Sequence, residues 1–149
     1  APLTPARMAE MLDDAGEWLY FAAVTSRHMY RVRTSDLGEP RIPWRELESR
    51  VERYAEKTMS DGIAIGASGT LYLSDLEHSA VVALGQDRKL RTIVKDDRLR
   101  WPDGFAFGPD GWLYVTCSAL HQVILASPEQ IAANAPYQIW RLRPDPPPS

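Results

Sequence analysis

The sequence is poor in the residues that most often carry chemistry. Its 149 residues include one cysteine and three histidines, so no internal disulfide can form. Cys117 lies in the apolar segment WLYVTCS, which favours a buried, unreactive thiol over a nucleophile because no activating base can be placed beside it. His28 and His78 have no partner at the spacing of metal ligands. There is also no G-x-S-x-G elbow, phosphate-binding glycine loop or C-x-x-C pair, so the protein classes that these motifs mark are not indicated.

Long apolar runs and an excess of one charge are absent as well. No segment approaches the ~18 apolar residues of a membrane span, and the first residues lack the charged and apolar regions of a signal peptide. The 17 basic and 20 acidic side chains leave a net charge of -3, which provides no basic field for nucleic acid. The composition, 44% hydrophobic and 25% charged, is that of an ordinary globular protein. We therefore expect neither a nucleic acid nor a membrane as partner.

The sequence contains one six-residue motif twice, which we call the repeated phrase. DGIAIG, from residue 61, and DGFAFG, from residue 103, share the frame D-G-Φ-A-Φ-G at an offset of 42. Each is followed by a glycine turn and an L-Y pair, at Tyr72 and Tyr114. A period near 42 built from short apolar strands and glycine turns is typical of β-propeller blades. Because closed propellers have roughly four to eight blades and this length holds about three, we predict an all-β, partial β-propeller that forms a single domain over residues 1–149.

Apolar segments separated by turn residues predict the strands of each blade. In the first blade we predict a hairpin over residues 18–24 and 28–33. The second blade is predicted to be complete, with strands at residues 62–67, 70–76, 80–84 and 90–95. In the third blade we predict strands around Phe105 and Phe107, over residues 112–118 and over residues 137–143.

The first residues depart from this repeat. Counting back from Tyr20 places a first Asp-Gly pair near residue 8, where none occurs. Thr4 and Pro5 suit an N-cap and an N1 proline, and Met8 and Met11 lie at helical spacing. We therefore predict a helical start over residues 1–13 and a first blade that begins late.

Short helical insertions and a disordered end are predicted outside the strands. The longer interval between the first two L-Y pairs fits a surface helix over residues 42–54, in which Trp44, Leu47 and Val51 recur at helical spacing. The alternative for residues 53–58 is an outer strand. The capping-box pattern that starts at Ser127 predicts a helix of one or two turns. The proline-rich residues 144–149 are predicted to form a disordered tail.

The most informative polar residues are the two aspartates of the repeated phrase. Asp61 and Asp103 stand at the first positions of successive innermost strands, so a propeller brings both to the rim of its channel on one face. There they could ligate a hard cation such as Ca²⁺ or orient a polar ligand. The alternative is that each accepts backbone N–H bonds and holds its turn. Since Ca²⁺ takes about six to eight oxygen ligands, the pair alone is a weak metal site.

Other residues are candidates for the same mouth of the channel. Trp101 could stack on an amine ligand, and the alternative is that it packs between blades. His121 could bind a ligand, and the alternative is that it is a turn residue. Asp75 and Glu77 either add oxygens near Asp61 or lie in a solvated turn. The predicted ligand-binding residues are Asp61, Asp103, Trp101 and His121. Only the two aspartates are candidate metal ligands, and no catalytic residue is assigned.

Three segments carry a family resemblance. Residues 99–123, LRWPDGFAFGPDGWLYVTCSALHQV, resemble the W-P-D-(T/G)-F-x-F, G-x-L-Y and L-H segment of the Yellow and major royal jelly protein family. Residues 60–84 resemble that family's preceding blade, and residues 135–145, APYQIWRLRPD, resemble its closing strand. The most specific points are the WPDG phrase at residues 101–104 and Leu120-His121. The match covers the C-terminal half of a family member.

The resemblance implies a six-bladed type of propeller, often secreted, with a ligand pocket at one mouth of the channel. In some insect members that pocket binds small amines, and others are linked to melanin chemistry. It thus implies small-ligand binding, an extracellular or periplasmic location although the chain shows no signal peptide, and a fragment of a longer protein. This favours a binding protein over an enzyme.

Two other functions stay open. The placement of the Asp-Gly pairs also resembles that in gluconolactonase and regucalcin-like propellers, in which a carboxylate or Asn at this position holds a catalytic metal. That resemblance implies a metal-dependent lactonase or esterase as the main enzymatic alternative, with a dopachrome-conversion-like isomerase as a further one. The third hypothesis is a half-propeller that assembles with another chain.

An arc of three blades would leave the flanks of its terminal blades uncovered. We expect Phe105, Phe107 and Trp112 to be exposed at one end, and Trp18 and Tyr20 at the other. Large exposed apolar patches mark interaction surfaces or aggregation sites, so we expect the chain to self-associate.

Overall fold

The structure, a computed structural model, describes residues 8–144 and contains three antiparallel sheets. Within each sheet the strands lie side by side in chain order, and the three sheets follow one another along the chain. This is the strand order of propeller blades, and we call the sheets blade 1, blade 2 and blade 3. The predicted all-β, partial β-propeller is confirmed.

The strands and helices have the following bounds. Blade 1 contains β1 (Met8–Leu12), β2 (Trp18–Ala23), β3 (His28–Arg33) and β4 (Glu52–Glu56). Blade 2 contains β5 (Ile63–Ile65), β6 (Leu71–Asp75), β7 (Ala80–Leu84) and β8 (Leu90–Lys95). Blade 3 contains β9 (Pro102–Phe107), β10 (Leu113–Cys117) and β11 (Gln138–Leu142). The helices of the described residues are α1 (Thr34–Leu37), α2 (Trp44–Ser49), α3 (Leu120–Val123) and α4 (Pro128–Ala133).

The blades pack face against face. Strand β5 contacts β1 on one side and β9 on the other, so the first strands of the blades are neighbours, as the innermost strands of a propeller are. We call the face of a blade that points to the next blade in the sequence its forward flank, and the opposite face its rear flank. Because successive side chains of a strand alternate between the two faces, neighbouring residues enter different cores.

Two apolar cores fill the interfaces between blades. The first contains Tyr20, Ala22, Met29 and Tyr54 of blade 1 with Ile63, Leu71, Leu73, Val82 and Leu84 of blade 2. The second contains Ala64, Tyr72, Val81 and Ala83 of blade 2 with Leu113, Val115 and Cys117 of blade 3 and Leu99 of the connecting loop. Burial of a large apolar side chain stabilises by about 1.5–3 kcal/mol, so these interfaces hold the arc together.

Three aromatic residues that we expected to be exposed at the ends of the arc lie between the blades instead, whereas Phe107 is 38% exposed. Tyr20 is buried in the first core, and Trp18 packs against it. Phe105 packs on the second core, and Phe107 contacts the tyrosine ring of that core edge-on. The expectation was wrong because the large positions of D-G-Φ-A-Φ-G, such as Phe105, point to the preceding blade, whereas Trp18 and Tyr20 point to the following one.

Blade 1 begins with a strand and not with the predicted helix. Strand β1 pairs with β2 along its whole length, and Met8 and Ala9 stand where the other two blades have Asp-Gly. Ala9 and Met11 lie on the same face of β1 and pack against the first core. An apolar spacing of three residues suits a helix in isolation, but the backbone N–H and C=O groups of β2 offer a ladder that a helix would leave unpaired. Thr4 and Pro5 lie outside the described residues.

The insertion after β3 contains both helix and strand. Helix α2 ends at Ser49 and β4 follows as the outer strand of blade 1, so the strand alternative is confirmed and the helix is shorter than predicted. Helix α1 was not predicted. An apolar groove between this insertion and the rear flank of blade 1 is lined by Leu19, Phe21, Val32, Leu37, Trp44, Leu47 and Val51. The insertion therefore covers part of one terminal flank, and Val32 is buried there.

Blade 3 carries its insertion between β10 and β11. The predicted capping box is confirmed, since Ser127 Oγ accepts from the Gln130 amide and Gln130 Oε1 accepts from the Ser127 amide. Helix α3 was not predicted. Residues 145–149, the greater part of the predicted tail, lie outside the described residues. None of the helices within residues 8–144 has the length and apolar character needed to cross a membrane.

Candidate functional site

The two Asp-Gly pairs lie at the same end of the innermost strands, which we call the mouth. Gly62 stands directly against blade 3, where a Cβ on it would come within 2.9 Å of the carbonyl oxygen of Asp103 and would overlap the ring of Phe105. The starts of β5 and β9 therefore lie side by side, although neither aspartate is the first residue of its strand as predicted. Asp61 lies two residues before β5, Asp103 is the second residue of β9, and both are partly exposed. Only glycine permits this approach, which explains the Gly of the repeated phrase at this position.

Asp61 is held by groups from two blades. Its Oδ2 accepts a hydrogen bond of 3.0 Å from the indole Nε1 of Trp101. Its backbone N–H donates to the hydroxyl of Ser74, which also accepts from the Gly62 amide. The Ser74 hydroxyl thus holds the backbone of this Asp-Gly pair, while the Asp61 carboxylate accepts from the aromatic residue of the next blade.

Trp101 connects Asp61 to the insertion of blade 3. Its indole stacks on the imidazole of His121, with ring centroids 5.9 Å apart and planes inclined by 24°. The backbone of Trp101 is left-handed, with φ 55, which is rare for a bulky residue and costs about 1–3 kcal/mol. Two hydrogen bonds, from the Ser118 amide to the Trp101 carbonyl and from the Ala119 amide to the Arg100 carbonyl, hold this conformation. Such strain is found preferentially where a side chain must be aimed.

Asp103 has a different partner. The Thr116 hydroxyl donates to its Oδ1 at 2.9 Å. A groove of about 270 Å³ opens beside this pair, between the end of β10 and the start of β11, and Tyr137 and Ile139 form its far side. Ser118 Oγ is buried at the groove and has no hydrogen-bond partner among residues 8–144. Buried hydroxyls are normally paired, so this one is a candidate donor or acceptor for a ligand.

The remaining polar residues of this end have structural partners. Asp75 is buried and not solvated, and its carboxylate meets Nδ1 of His78 at 2.9 Å. Glu77 pairs with Arg27. The predicted extra oxygens from Asp75 and Glu77 are therefore engaged within blades 1 and 2.

The expected burial of Cys117 is confirmed. It is buried in the second core, where desolvation and the nearby charge of Asp103 raise its pKa to about 11. The thiolate, which is the reactive form, is therefore scarce at neutral pH.

Lys57 is a feature that the sequence reasoning missed. It stands 42 residues before Leu99, at the place where the next blade has an apolar side chain. Its ammonium donates to the carbonyls of Thr58 at 2.9 Å and Val24 at 3.3 Å. Burial lowers the pKa of Lys57 to about 8, and the charge of Arg27 adds to the effect. This amine supports the loop that leads to Asp61.

The fit of a calcium ion to these residues is incomplete. Nowhere in residues 8–144 do three or more His, Cys, Asp or Glu side chains gather as metal ligands would. Asp61 and Asp103 supply carboxylate oxygens, but one oxygen of each already accepts a hydrogen bond. Since Ca²⁺ takes about six to eight oxygens, the described residues do not by themselves form its site.

Thr116 and Ser118 were also missed. A signal existed for Thr116, because it lies 42 residues after Ser74, so the repeat places a hydroxyl behind each Asp-Gly pair. The two hydroxyls act differently, since Ser74 accepts from backbone amides and Thr116 donates to a carboxylate. No sequence signal marked Ser118, whose role depends on the insertion that follows it.

Solved structures with a similar fold are propeller proteins. A regucalcin from Agrobacterium tumefaciens strain C58, described as a calcium-binding protein, superposes with a TM-score of 0.57 at 19% identity, over 89% of this chain and 43% of that one. A catalytically inactive virginiamycin B lyase from Staphylococcus aureus superposes with a TM-score of 0.53 at 15% identity, over 77% of this chain and 36% of that one. A streptogramin B lyase superposes with a TM-score of 0.53 at 9% identity, over 75% of this chain and 35% of that one.

These likenesses establish the β-propeller fold. The chain spans about two fifths or less of the length of these structures. No family profile matches the chain. No curated protein matches it either. The Yellow and royal jelly resemblance therefore stays a prediction from the residues.

Proposed function

We propose that the mouth of this partial propeller binds a small polar ligand that carries a cationic or strongly hydrogen-bond-donating group. The observation that carries the proposal is the Asp61, Trp101 and His121 arrangement, in which one aromatic side chain from a strained backbone aims its N–H at a carboxylate and its ring at an imidazole. Asp103 adds a second carboxylate on the same mouth.

Each group has a distinct part in binding. The carboxylates of Asp61 and Asp103 attract a cation and accept its N–H bonds, which are the stronger, charge-assisted kind. The stacked Trp101 and His121 rings offer an aromatic surface that suits an aromatic or aliphatic body, and a cation over an indole gains about 0.5–2 kcal/mol. Ser118 Oγ, buried without a partner among residues 8–144, supplies a further hydrogen bond.

Titration with tyramine tests this proposal, with tyrosol as the uncharged ligand of the same shape. Isothermal titration calorimetry should show tyramine binding that weakens about tenfold in Asp103→Asn, since a charged hydrogen bond contributes about 1.5–3 kcal/mol. The matched control is Asp110→Asn, which makes the same change in the β9–β10 turn, where the carboxylate accepts from the Trp112 amide. Equal binding of tyramine and tyrosol, or equal loss in both variants, would contradict the proposal.

The second candidate is a lactone hydrolase of the gluconolactonase type. It is supported by the likeness to regucalcin and by the two aspartates at the mouth, of which Asp61 lies two residues before β5 and Asp103 is the second residue of β9. Further metal ligands would have to come from outside residues 8–144. Hydrolysis of δ-gluconolactone that requires Ca²⁺, stops on chelation and is lost in Asp61→Asn would favour this candidate over binding alone.

The proposal extends to where the protein is located and how it assembles. The family resemblance supports an extracellular or periplasmic protein. The uncovered forward flank of blade 3 supports assembly with further polypeptide, and light scattering across a concentration series distinguishes self-association from a stable monomer.

A further inference from the structure

The forward flanks of blades 1 and 3 are built from the same side chains. Both blades have a W-L-Y sequence on the second strand and an R-x-R sequence opposite it on the third. Trp112, Tyr114, Arg141 and Arg143 thus occupy the places of Trp18, Tyr20, Arg31 and Arg33. In both blades the arginines stack on the tryptophan ring, at 4.0 Å and 4.3 Å in blade 1 and at 4.6 Å and 4.7 Å in blade 3.

In blade 1 the fourth strand completes the surroundings of Arg31. Glu52 of β4 accepts from Arg31 Nε at 2.8 Å, and the ring of Tyr54, also in β4, lies 4.6 Å from the guanidinium. Arg31 is directly opposite Glu52 in the β3–β4 register. The arginine is therefore held between two aromatic rings and a carboxylate, and two of these three partners belong to β4.

In blade 3 the equivalent arginine lacks both of those partners. Within residues 8–144 no carboxylate pairs with Arg141, and no strand pairs with the second edge of β11. Exposure shows the same difference, because Ile139 is 70% exposed while Met29, its counterpart in blade 1, is 1% exposed. An uncovered strand edge with an exposed apolar side chain is a template for another strand.

We propose that the open edge of β11 binds an extended, antiparallel strand with an acid-x-aromatic pattern, its carboxylate opposite Arg141 and its aromatic ring over the guanidinium. The charge and the ring are those that β4 supplies to Arg31. The occupant is a strand from outside residues 8–144 and not the β4 strand of a second copy, because β4 is already paired with β3. Backbone hydrogen bonds provide the affinity of such a strand, and the side-chain pattern provides its specificity.

A peptide with the sequence of residues 50–59, RVERYAEKTM, serves as the probe, since it contains the acid-x-aromatic pattern of β4. Fluorescence anisotropy of the labelled peptide should show saturable binding to the full chain. Arg141→Glu in the chain should weaken binding about tenfold, and the peptide with Glu52→Arg should recover most of the loss on that variant. Amide hydrogen exchange of the β11 residues should slow when the peptide is bound.

Arg143→Glu is the matched control. It makes the same charge change one residue after β11 and on the same face, but the partners of its counterpart Arg33 among residues 8–144 are Glu17 and Trp18, neither of which belongs to β4. Arg143→Glu should therefore weaken peptide binding much less than Arg141→Glu. Equal losses in both variants, no rescue by the charge-swapped peptide, or no binding at about 1 mM peptide would overturn the proposal. A chain dimer that forms through this flank and excludes the peptide would overturn it as well.

Discussion

Lys57 offers the sharpest test of how this arc is stabilised. It is 4% exposed, and among residues 8–144 no carboxylate accepts from its ammonium. Burial lowers its pKa from the ordinary 10.5 to about 8. Each unit of pKa difference corresponds to about 1.4 kcal/mol, so the charged amine destabilises the folded state by about 3 kcal/mol at neutral pH.

We expect Lys57→Leu to stabilise the protein. Leucine resembles Leu99, which fills the same place in the next blade, and it removes the buried charge. The variant loses the hydrogen bonds to the carbonyls of Thr58 and Val24, each contributing about 1 kcal/mol, although the Ser60 amide still donates to Val24. The net gain at pH 7 is about 1–2 kcal/mol, or a rise of about 3–6 °C in Tm.

The pH dependence provides a second measurement. A folded-state pKa below the unfolded one means that the unfolded chain binds more protons between pH 8 and 10.5, so this lysine makes stability increase with pH in that window. The difference in stability between wild type and Lys57→Leu should therefore shrink from pH 8 to pH 10 in urea titrations. Lys89→Leu, at an exposed turn, is the control and should change little. A loss above about 1 kcal/mol at pH 7 with an unchanged pH slope would show that the ammonium–carbonyl bonds outweigh desolvation.

Two further predictions concern packing. Gly62→Ala should lower the free energy of unfolding by about 2–3 kcal/mol, because its methyl group would meet the Asp103 carbonyl and the adjacent phenylalanine ring. Gly38→Ala, where a Cβ would make ordinary van der Waals contact at 3.5 Å from the Thr34 carbonyl oxygen and φ is in the helical range, should be neutral or stabilising in the same urea titration. Cys117 should react with Ellman's reagent at pH 8 only as fast as the chain unfolds, and rapid reaction in the absence of urea would disprove its burial.

The repeat could be predicted from the sequence because each blade is a local unit. Turn glycines and short apolar strands recur with a fixed period, and the register of a hairpin depends on residues close in sequence. All four strands of blade 2 were therefore found, and so was the capping box at Ser127. The co-location of Asp61 and Asp103 followed from the same repeat, since equal places in neighbouring blades lie side by side.

The failures came where a local pattern was compatible with two structures. Met8 and Met11 suit a helical face and an alternating strand equally well, and pairing with β2 decided for the strand. Trp18 and Phe105 were assigned to the open ends of the arc because a sequence does not say which flank of a blade meets its neighbour.

The sequence by itself determined the blade architecture, the placement of the Asp-Gly pairs and the burial of the thiol, because these depend on periodicity and local composition. The tertiary structure alone decided that Trp101 donates to Asp61 and stacks on His121, that Lys57 is buried, and that Arg141 lacks the partners of Arg31. Each of these depends on contacts between residues that are far apart in the chain, and only the packing of one blade on the next brings such residues together.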